Sequence, residues 1–238
     1  MTRSGTPRRL VAVGFDFDHT LGIDNNLERV AFLRLLADVC AGGGEPLGTL
    51  ASEIDRIDTL LRVQRSGRYS IEETVERFAR ERGARDPGAY PERYKRLALR
   101  GAEAFVVPVP GLGSALAALR CDEVAVAVLT NGWSPLQERK AALAGFEGPV
   151  VVSGAIGVQK PAKGAFEALA RTLERAPDEI WYVGDDPVMD VAGAIAAGMH
   201  GIWLDARGSE YPADLPAPER VIHSLEELAG ALPIARQE

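Results

Sequence analysis

The sequence has few cysteines and histidines and no long apolar run. Two cysteines, Cys40 and Cys121, and three histidines occur among 238 residues, without a CxxC pair or a mixed cluster. These counts exclude a disulfide framework and a structural zinc site. The apolar runs are too short to cross a bilayer, and the one behind the basic N-terminus, residues 10–15, is too short for a secretory signal. We expect a cytoplasmic protein without a membrane partner.

Positive charge is in deficit, and lysine is especially rare. The 27 basic residues face 34 acidic ones, which gives a net charge of −7 and argues against nucleic acid as a partner. A hydrophobic content of 46% and a mean hydropathy of −0.05 are those of an ordinary globular protein. The chain has four lysines, so each one is worth inspecting: Lys95, Lys140, Lys160 and Lys163.

Short apolar runs alternate with helical patterns along most of the chain. The runs are typical of strands buried on both faces of a parallel sheet, and they cover residues 10–15, 124–129, 150–152, 180–183 and 201–204. Helical segments lie between them, at residues 135–144, 162–175 and 188–197. This alternation predicts an α/β fold with a doubly wound parallel sheet.

Residues 21–105 break the alternation. They contain four helix-like blocks and no convincing strand, and their 14 basic and 14 acidic residues cancel. Asn25, followed three residues later by Glu28, predicts a capping box at the first of these helices. We therefore predict a helical insertion at 21–105 in an α/β core formed by residues 1–20 and 106–238.

Polar residues follow the predicted strands, either directly or, for Lys160 and Asp190, a few residues further on, at the edge of the sheet where ligands bind in this class of fold. They are Asp16 and Asp18, then Thr130 and Asn131, then Lys160, and finally Asp185, Asp186 and Asp190. Several carboxylates in one small cleft repel one another unless a cation offsets their charge, and oxygen ligands alone favour Mg²⁺. A lysine, a hydroxyl and the Asn131 backbone N–H beside such a cation suit a phosphate group.

These motifs resemble, in order and spacing, those of the haloacid dehalogenase-like hydrolase superfamily. The resemblance covers residues 10–205 and includes DxDxT at 16–20, the Thr130 motif, Lys160-Pro161 and GDD at 184–186. It points to the branch whose helical cap is inserted between the first two motifs. It implies a Rossmann-like core, a helical-bundle cap, and a Mg²⁺-dependent phosphatase that hydrolyses a small phosphorylated metabolite through an aspartyl-phosphate.

The resemblance also implies a role for each acidic motif residue. Asp16 is the expected nucleophile, and Asp18 the expected general acid and base. Asp16, the backbone carbonyl of Asp18 and the side chain of Asp185 are the expected Mg²⁺ ligands. Asp190 is expected to contact and orient the metal ligands without binding the metal itself. Asp186 is expected to bind the metal, to support its ligands as Asp190 does, or to lie as a favourable carboxylate at the N-terminus of the following helix.

The resemblance implies that the remaining motif residues bind the phosphate group of the substrate. Thr130 and Lys160 are expected to orient the phosphoryl oxygens and offset their charge in the transition state.

His19 stands where the family motif usually has glycine, and it either reaches into the cleft or packs under the cap. Arg62, Arg65 and Arg68 lie on one edge of a predicted helix, either as a solvent-exposed face or as a site for a second anionic group of the substrate.

Other activities resemble this pattern less well. Dehalogenases of the family resemble it without the second aspartate, so Asp18 argues against that chemistry. Phosphonatases use a cap lysine, and residues 21–94 contain none. A non-catalytic regulatory protein would be expected to lack Asp16 or Asp185. A phosphoglucomutase-like phosphoryl transferase shares all four motifs and stays the alternative; the sequence does not predict the oligomeric state.

Overall fold

A six-stranded parallel sheet forms the centre of the computed structural model, which describes residues 12–233. The strands, in chain order, are β1 (Ala12–Phe15), β2 (Gly22–Ile23), β3 (Val107–Pro108), β4 (Ala125–Thr130), β5 (Val150–Val152), β6 (Ile180–Gly184), β7 (His200–Leu204) and β8 (Arg220–Ile222). The sheet has the order β5-β4-β1-β6-β7-β8, and β2 pairs antiparallel with β3 outside it. The first predicted strand began at residue 10, and its first two residues lie outside the described part of the chain.

Helices cover both faces of the sheet. In chain order they are α1 (Leu27–Ala41), α2 (Leu50–Arg65), α3 (Ile71–Glu81), α4 (Pro91–Phe105), α5 (Leu112–Cys121), α6 (Leu136–Leu143), α7 (Ser153–Ile156), α8 (Lys163–Leu173), α9 (Gly193–Ala196) and α10 (Leu228–Ala231). Val13 and Phe15 face an apolar cluster shared with α5, α6 and α10, whereas Ala12 faces a second cluster formed with α8 and α9. This arrangement confirms the predicted doubly wound α/β fold. Within residues 12–233, no helix combines the length and apolar character needed to cross a membrane.

The insertion is a helical bundle, α1 to α4, which we call the cap. Its helices pack on one another and belong to the same apolar cluster as one face of the sheet. The ring centroids of Phe32 and Tyr94 lie 4.4 Å apart, and Tyr94 lies 6.3 Å from Trp133 of the core. The cap therefore sits against the core through buried aromatic contacts.

Two local expectations for this region are wrong. The predicted strand-free segment contains β2, which is too short to show a periodic pattern and is recognisable only by its distant partner β3. The predicted capping box is absent, because Asn26 rather than Asn25 precedes α1 and its side chain makes no capping hydrogen bond. A complete capping box opens α3 instead, formed by Ser70 and Glu73. The division at residues 20 and 105 stays a prediction.

Candidate active site

A cleft of about 820 Å³ separates the carboxyl ends of the strands from the cap. All eight of the site residues predicted above line it, although they come from four separate strand ends and loops: Asp16, Asp18, Thr130, Asn131, Lys160, Asp185, Asp186 and Asp190. The opposite wall belongs to the first two cap helices and the segment before them. Parallel strand pairing brings the motifs together, since β1 lies between β4 and β6 in the sheet.

Lys160 connects the residues of the first and last motifs. Its ammonium Nζ lies 2.5 Å from Oδ1 of Asp16 and 2.6 Å from Oδ1 of Asp190, and it donates to the Tyr182 hydroxyl at 3.1 Å. That hydroxyl donates in turn to the backbone carbonyl of Leu129. We call these four side chains, Asp16, Lys160, Tyr182 and Asp190, the Lys160 cluster. The sequence did not predict Tyr182, which lies within a strand that looked like uniform core.

The segment that carries Lys160 is held by Asn131. The Asn131 side chain accepts from the Lys160 backbone N–H at 2.9 Å and donates to the Lys160 carbonyl at 3.1 Å. Its side chain therefore fixes a neighbouring loop, a contact that the sequence did not predict. The buried Thr130 hydroxyl makes one long contact, 3.4 Å to the Asn131 carbonyl. This hydroxyl remains available to a group in the cleft.

Three carboxylates form a possible cation site. One oxygen from each of Asp16, Asp185 and Asp190 lies within 4.8 Å of the others. Burial and the neighbouring carboxylates outweigh Lys160 and raise the pKa of Asp16 to about 7. Burial, Asp16 and Asp186 raise the pKa of Asp185 to about 7 as well. Raised carboxyl pKa values and oxygen-only donors fit a divalent cation such as Mg²⁺, which would supply the missing positive charge.

The other two acidic residues of the last motif make defined local contacts. Oδ1 of Asp186 accepts from the backbone N–H groups of Val188 and Met189, at 2.8 and 2.9 Å, and so caps the π-helical turn that follows. Oδ2 of Asp190 accepts from the Asp186 backbone N–H at 3.0 Å. Asp186 thus makes the contacts expected of a carboxylate at the N-terminus of the following helix.

A second buried lysine, which the motifs did not predict, contacts Asp18. Nζ of Lys140 lies 2.5 Å from Oδ1 of Asp18 and 3.1 Å from Oδ2 of Asp24. We call Asp18, Asp24 and Lys140 the Lys140 cluster. Burial alone would lower the pKa of Lys140, but the two carboxylates outweigh burial and raise this pKa. Its only sequence signal is the rarity of lysine in this chain.

The cap wall carries further paired charges. The buried carboxylate of Glu28 accepts from the Tyr94 hydroxyl and from Nε1 of Trp133, each at 3.3 Å, and lies 3.2 Å from Arg65. Glu28 therefore contacts groups from α2 and α4 of the cap and from the loop after β4. This accounts for its absence from the capping box predicted at α1.

The three arginines of the predicted row do not converge. Arg65 is paired with Glu28, whereas Arg68 lies beyond the end of α2, 5.7 Å from the Tyr69 ring, and outside the cleft lining. Arg62 lines the cleft and is exposed, and no carboxylate of residues 12–233 forms an ion pair with it. His19 is also exposed at the cleft, with a left-handed φ of 64°, so the alternative in which it packs under the cap is wrong.

Comparison with known proteins identifies the family. A family model described as haloacid dehalogenase-like hydrolase matches residues 11–198. The chain belongs to the haloacid dehalogenase-like hydrolases. All eight of the predicted site residues lie within the matched range, and so do both buried lysines.

Characterised relatives have more than one activity. A phosphoserine phosphatase of Thermus thermophilus is 35% identical over 162 residues, which cover 64% of this chain and 63% of that protein. The pyrimidine 5′-nucleotidase YjjG of Escherichia coli is 34% identical over 125 residues, covering 51% and 55%. The chain thus spans less than two thirds of the length of either relative. A 2-haloacid dehalogenase structure from Pseudomonas syringae has a TM-score of 0.70, with 24% identity and coverage of 93% and 97%, and it shares the fold.

Proposed function

We propose that this protein is a Mg²⁺-dependent phosphatase that hydrolyses a small phosphorylated metabolite through an aspartyl-phosphate. The observation that carries the proposal is the geometry around Asp16. Its carboxylate lies 2.5 Å from the Lys160 ammonium, and the second carboxylate, Asp18, lines the same cleft. A nucleophile, a cation for the phosphoryl oxygens and a separate acid are the groups that phosphate-ester cleavage by a carboxylate requires.

In the first step, a carboxylate oxygen of Asp16 attacks phosphorus, and the bond between phosphorus and the leaving oxygen breaks. Asp18, in its protonated form, gives its proton to that oxygen, so that an alcohol rather than an alkoxide leaves. The ammonium of Lys160 and the hydroxyl of Thr130 bind the phosphoryl oxygens as their charge redistributes in the transition state. Asn131 keeps Lys160 in place through its two hydrogen bonds to the backbone of that residue.

In the second step, water attacks the aspartyl-phosphate, and Asp18 accepts the proton that this water loses. The bond between phosphorus and the Asp16 oxygen then breaks, which releases inorganic phosphate and regenerates both carboxyl groups. One residue acts as acid and then as base, because the first step leaves Asp18 deprotonated. Asp18 meets the need for access to both leaving group and water, since its side chain is 39% exposed at the cleft.

The cation would be held by the carboxylates of Asp16 and Asp185 and by the backbone carbonyl of Asp18. When bound, Mg²⁺ offsets the negative charge of the phosphate and polarises its oxygens. Asp190 would keep this site in place, because its carboxylate pairs with Lys160 and accepts from the Asp186 backbone N–H.

A phosphate-release screen tests the proposal directly. The panel contains O-phosphoserine, pyrimidine nucleoside 5′-monophosphates, sugar phosphates and 4-nitrophenyl phosphate, each with Mg²⁺ and with excess chelator. The first two reflect the activities of the two relatives described above. We expect phosphate release from at least one ester, abolished by the chelator and restored by Mg²⁺.

Two further arms separate the alternatives. Transfer of the phosphoryl group to a sugar phosphate acceptor, without release of phosphate, would favour the phosphoglucomutase-like transferase. Halide release from chloroacetate at a rate matching phosphate release would favour a dehalogenase. Full activity in excess chelator would contradict the metal requirement.

A further inference from the structure

Lys140, which pairs with Asp18, is almost completely buried. It is 1% exposed, and its Nζ lies 5.1 Å from the centre of the Phe17 ring. A buried ammonium is strongly destabilising unless carboxylates pair with it, so Lys140 is confined to the point between Asp18 and Asp24. The buried Lys140 therefore has little freedom to move, and its ammonium orients the side chain of the partly exposed Asp18.

The backbone around Asp18 is ordered without any contribution from the Asp18 side chain. The N–H groups of Thr20, Leu21 and Gly22 all donate to the Phe17 carbonyl, at 2.9 to 3.2 Å, and the His19 N–H donates to the Gly22 carbonyl. These bonds fix the turn but not the rotamer of a partly exposed aspartate. Among residues 12–233, the Asp18 carboxylate makes one hydrogen bond, and its donor is the Lys140 ammonium.

We propose that Lys140 is the positioning residue for the general acid, a role that rests on the proposed phosphatase function. By binding Oδ1 of Asp18, Lys140 leaves Oδ2 free to carry the proton to the leaving oxygen. Lys140 itself touches no reacting atom. Acid catalysis contributes about 10²- to 10⁴-fold, and misplacement by about 1 Å can cost about 10²-fold, so losing this contact is expected to cost a large share of that contribution.

The same ammonium contacts the segment that leads into the cap. Asp24 lies between β2 and α1, and the next residue, Asn25, donates to the Phe105 carbonyl at the end of α4, at 2.7 Å. A purely structural role, in which Lys140 stabilises this connection through Asp24, is therefore the competing explanation. The two explanations differ in which carboxylate matters and in which substrates are affected.

The test measures kcat/KM of Lys140→Met across phosphate monoesters whose leaving groups range from 4-nitrophenol to alkyl alcohols. Methionine retains the length of the side chain and removes its charge. We expect kcat/KM for alkyl phosphates to fall about 100-fold and that for 4-nitrophenyl phosphate to fall less than about threefold, because a good leaving group needs no proton. This parameter excludes hydrolysis of the aspartyl-phosphate, so the comparison isolates leaving-group departure.

Matched variants distinguish positioning from stability. Lys163→Met alters an exposed lysine and should leave every ester at the wild-type rate. Asp24→Asn removes one of the two carboxylates that hold Lys140 but keeps the contact between Lys140 and Asp18, so we expect a leaving-group dependence much weaker than that of Lys140→Met. Lys140→Arg keeps the charge and should recover part of the alkyl phosphate activity. Because Lys140→Met leaves two carboxylates without their cation, the double variant Asp24→Asn/Lys140→Met is measured beside it, with thermal unfolding of each.

The expected result is a steep leaving-group dependence in both variants that lack Lys140, including the double variant if its thermal stability returns. Equal losses on all esters, or a leaving-group dependence in Asp24→Asn as steep as in Lys140→Met, would overturn the positioning role and leave the structural one. A wild-type protein that releases phosphate from no ester would instead refute the proposed function, which is a separate and visible outcome.

Discussion

The Lys160 and Lys140 clusters have the same kinds of charged groups at their centre, but the pKa of a carboxyl group is raised in the first cluster and lowered in the second. Each has one buried lysine between two carboxylates. In the Lys140 cluster the lysine outweighs the burial of Asp24 and lowers its pKa. In the Lys160 cluster, burial and the neighbouring carboxylates of Asp190 and Asp18 outweigh the lysine and raise the pKa of Asp16 to about 7. The two clusters have the same formal charge, but Asp185 adds a further carboxylate beside Asp16 and Asp190, so the Lys160 side of the cleft is the one suited to receive both a cation and a phosphate.

The largest expected difference comes from removing one carboxylate from each cluster. Asp16→Asn keeps the side-chain shape but removes the nucleophile, so we expect turnover to fall by at least about 10⁴-fold. Asp24→Asn, the matched change in the other cluster, should reduce turnover far less, because it removes no reacting group. Steady-state phosphate release with the best ester of the screen measures both. Wild-type turnover by Asp16→Asn would remove the basis for the nucleophile assignment.

Removing the two lysines gives the next difference. Lys160→Met removes a cation that binds the phosphoryl oxygens, so we expect kcat/KM for 4-nitrophenyl phosphate to fall about 10²- to 10³-fold. Lys140→Met should leave that activated ester nearly unchanged. Unfolding by urea, followed for both variants, checks that the folded protein is being compared. Similar losses on this ester would mean that the two clusters do not divide binding and acid catalysis between them.

The Lys160 cluster was largely predictable because the fold makes its position predictable. Polar residues beyond the ends of buried strands converge at one edge of a parallel sheet. Asp16 follows β1 directly, Lys160 lies in the loop after α7, and Asp190 lies in the π-helical turn after β6. Tyr182 was missed because an aromatic residue within a buried strand has the same pattern whether or not its hydroxyl contacts a lysine. The strand pattern fixes burial, while the hydrogen bond depends on the neighbouring loop.

The Lys140 cluster was not predictable for a related reason. Its members come from a turn, a segment leading into the cap and the middle of α6, and no periodic pattern or strand end relates these positions. Glu28 shows the same effect, because local sequence favoured a capping box whereas the fold surrounds this residue with Trp133, Tyr94 and Arg65. Contacts between the cap and the core depend on how the two pack, which short-range sequence patterns do not encode.

Asp185, which lies beside the Lys160 cluster, predicts a pH effect in cation-free protein. The pKa of Asp185 is raised from 3.8 to about 7 in the folded state, so the folded protein holds an extra proton between these values. Its contribution to the free energy of unfolding is therefore present at low pH and is lost as pH rises through about 7. In chelator, the free energy of unfolding of Asp185→Asn should therefore increase relative to that of the wild type as the pH rises from 5 to 8.

Thermal unfolding of the two proteins in chelator and in Mg²⁺ measures this effect. At pH 8, Mg²⁺ should raise the Tm of the wild type by a few degrees and that of Asp185→Asn by less, because the variant has lost one carboxylate ligand. Asp24→Asn serves as the control from the other cluster and should respond to Mg²⁺ as the wild type does. An equal response in Asp185→Asn would contradict the assignment of this carboxylate to the cation site.

The smallest expected effect concerns the cap wall, where Arg65 pairs with Glu28 but no carboxylate in the described part of the chain pairs with Arg62. An exposed guanidinium at the cleft can bind a second anionic group of the substrate, and exposed ion pairs contribute little, so Arg62→Ala should raise KM about fivefold or less. This increase should occur for an ester that carries a carboxylate or a second phosphate, and not for 4-nitrophenyl phosphate. Arg68→Ala, outside the cleft lining, is the matched control. Equal changes in KM for both kinds of ester would assign Arg62 to the solvent-exposed face of α2, and the cap would then contribute no recognition of a second anion through this residue.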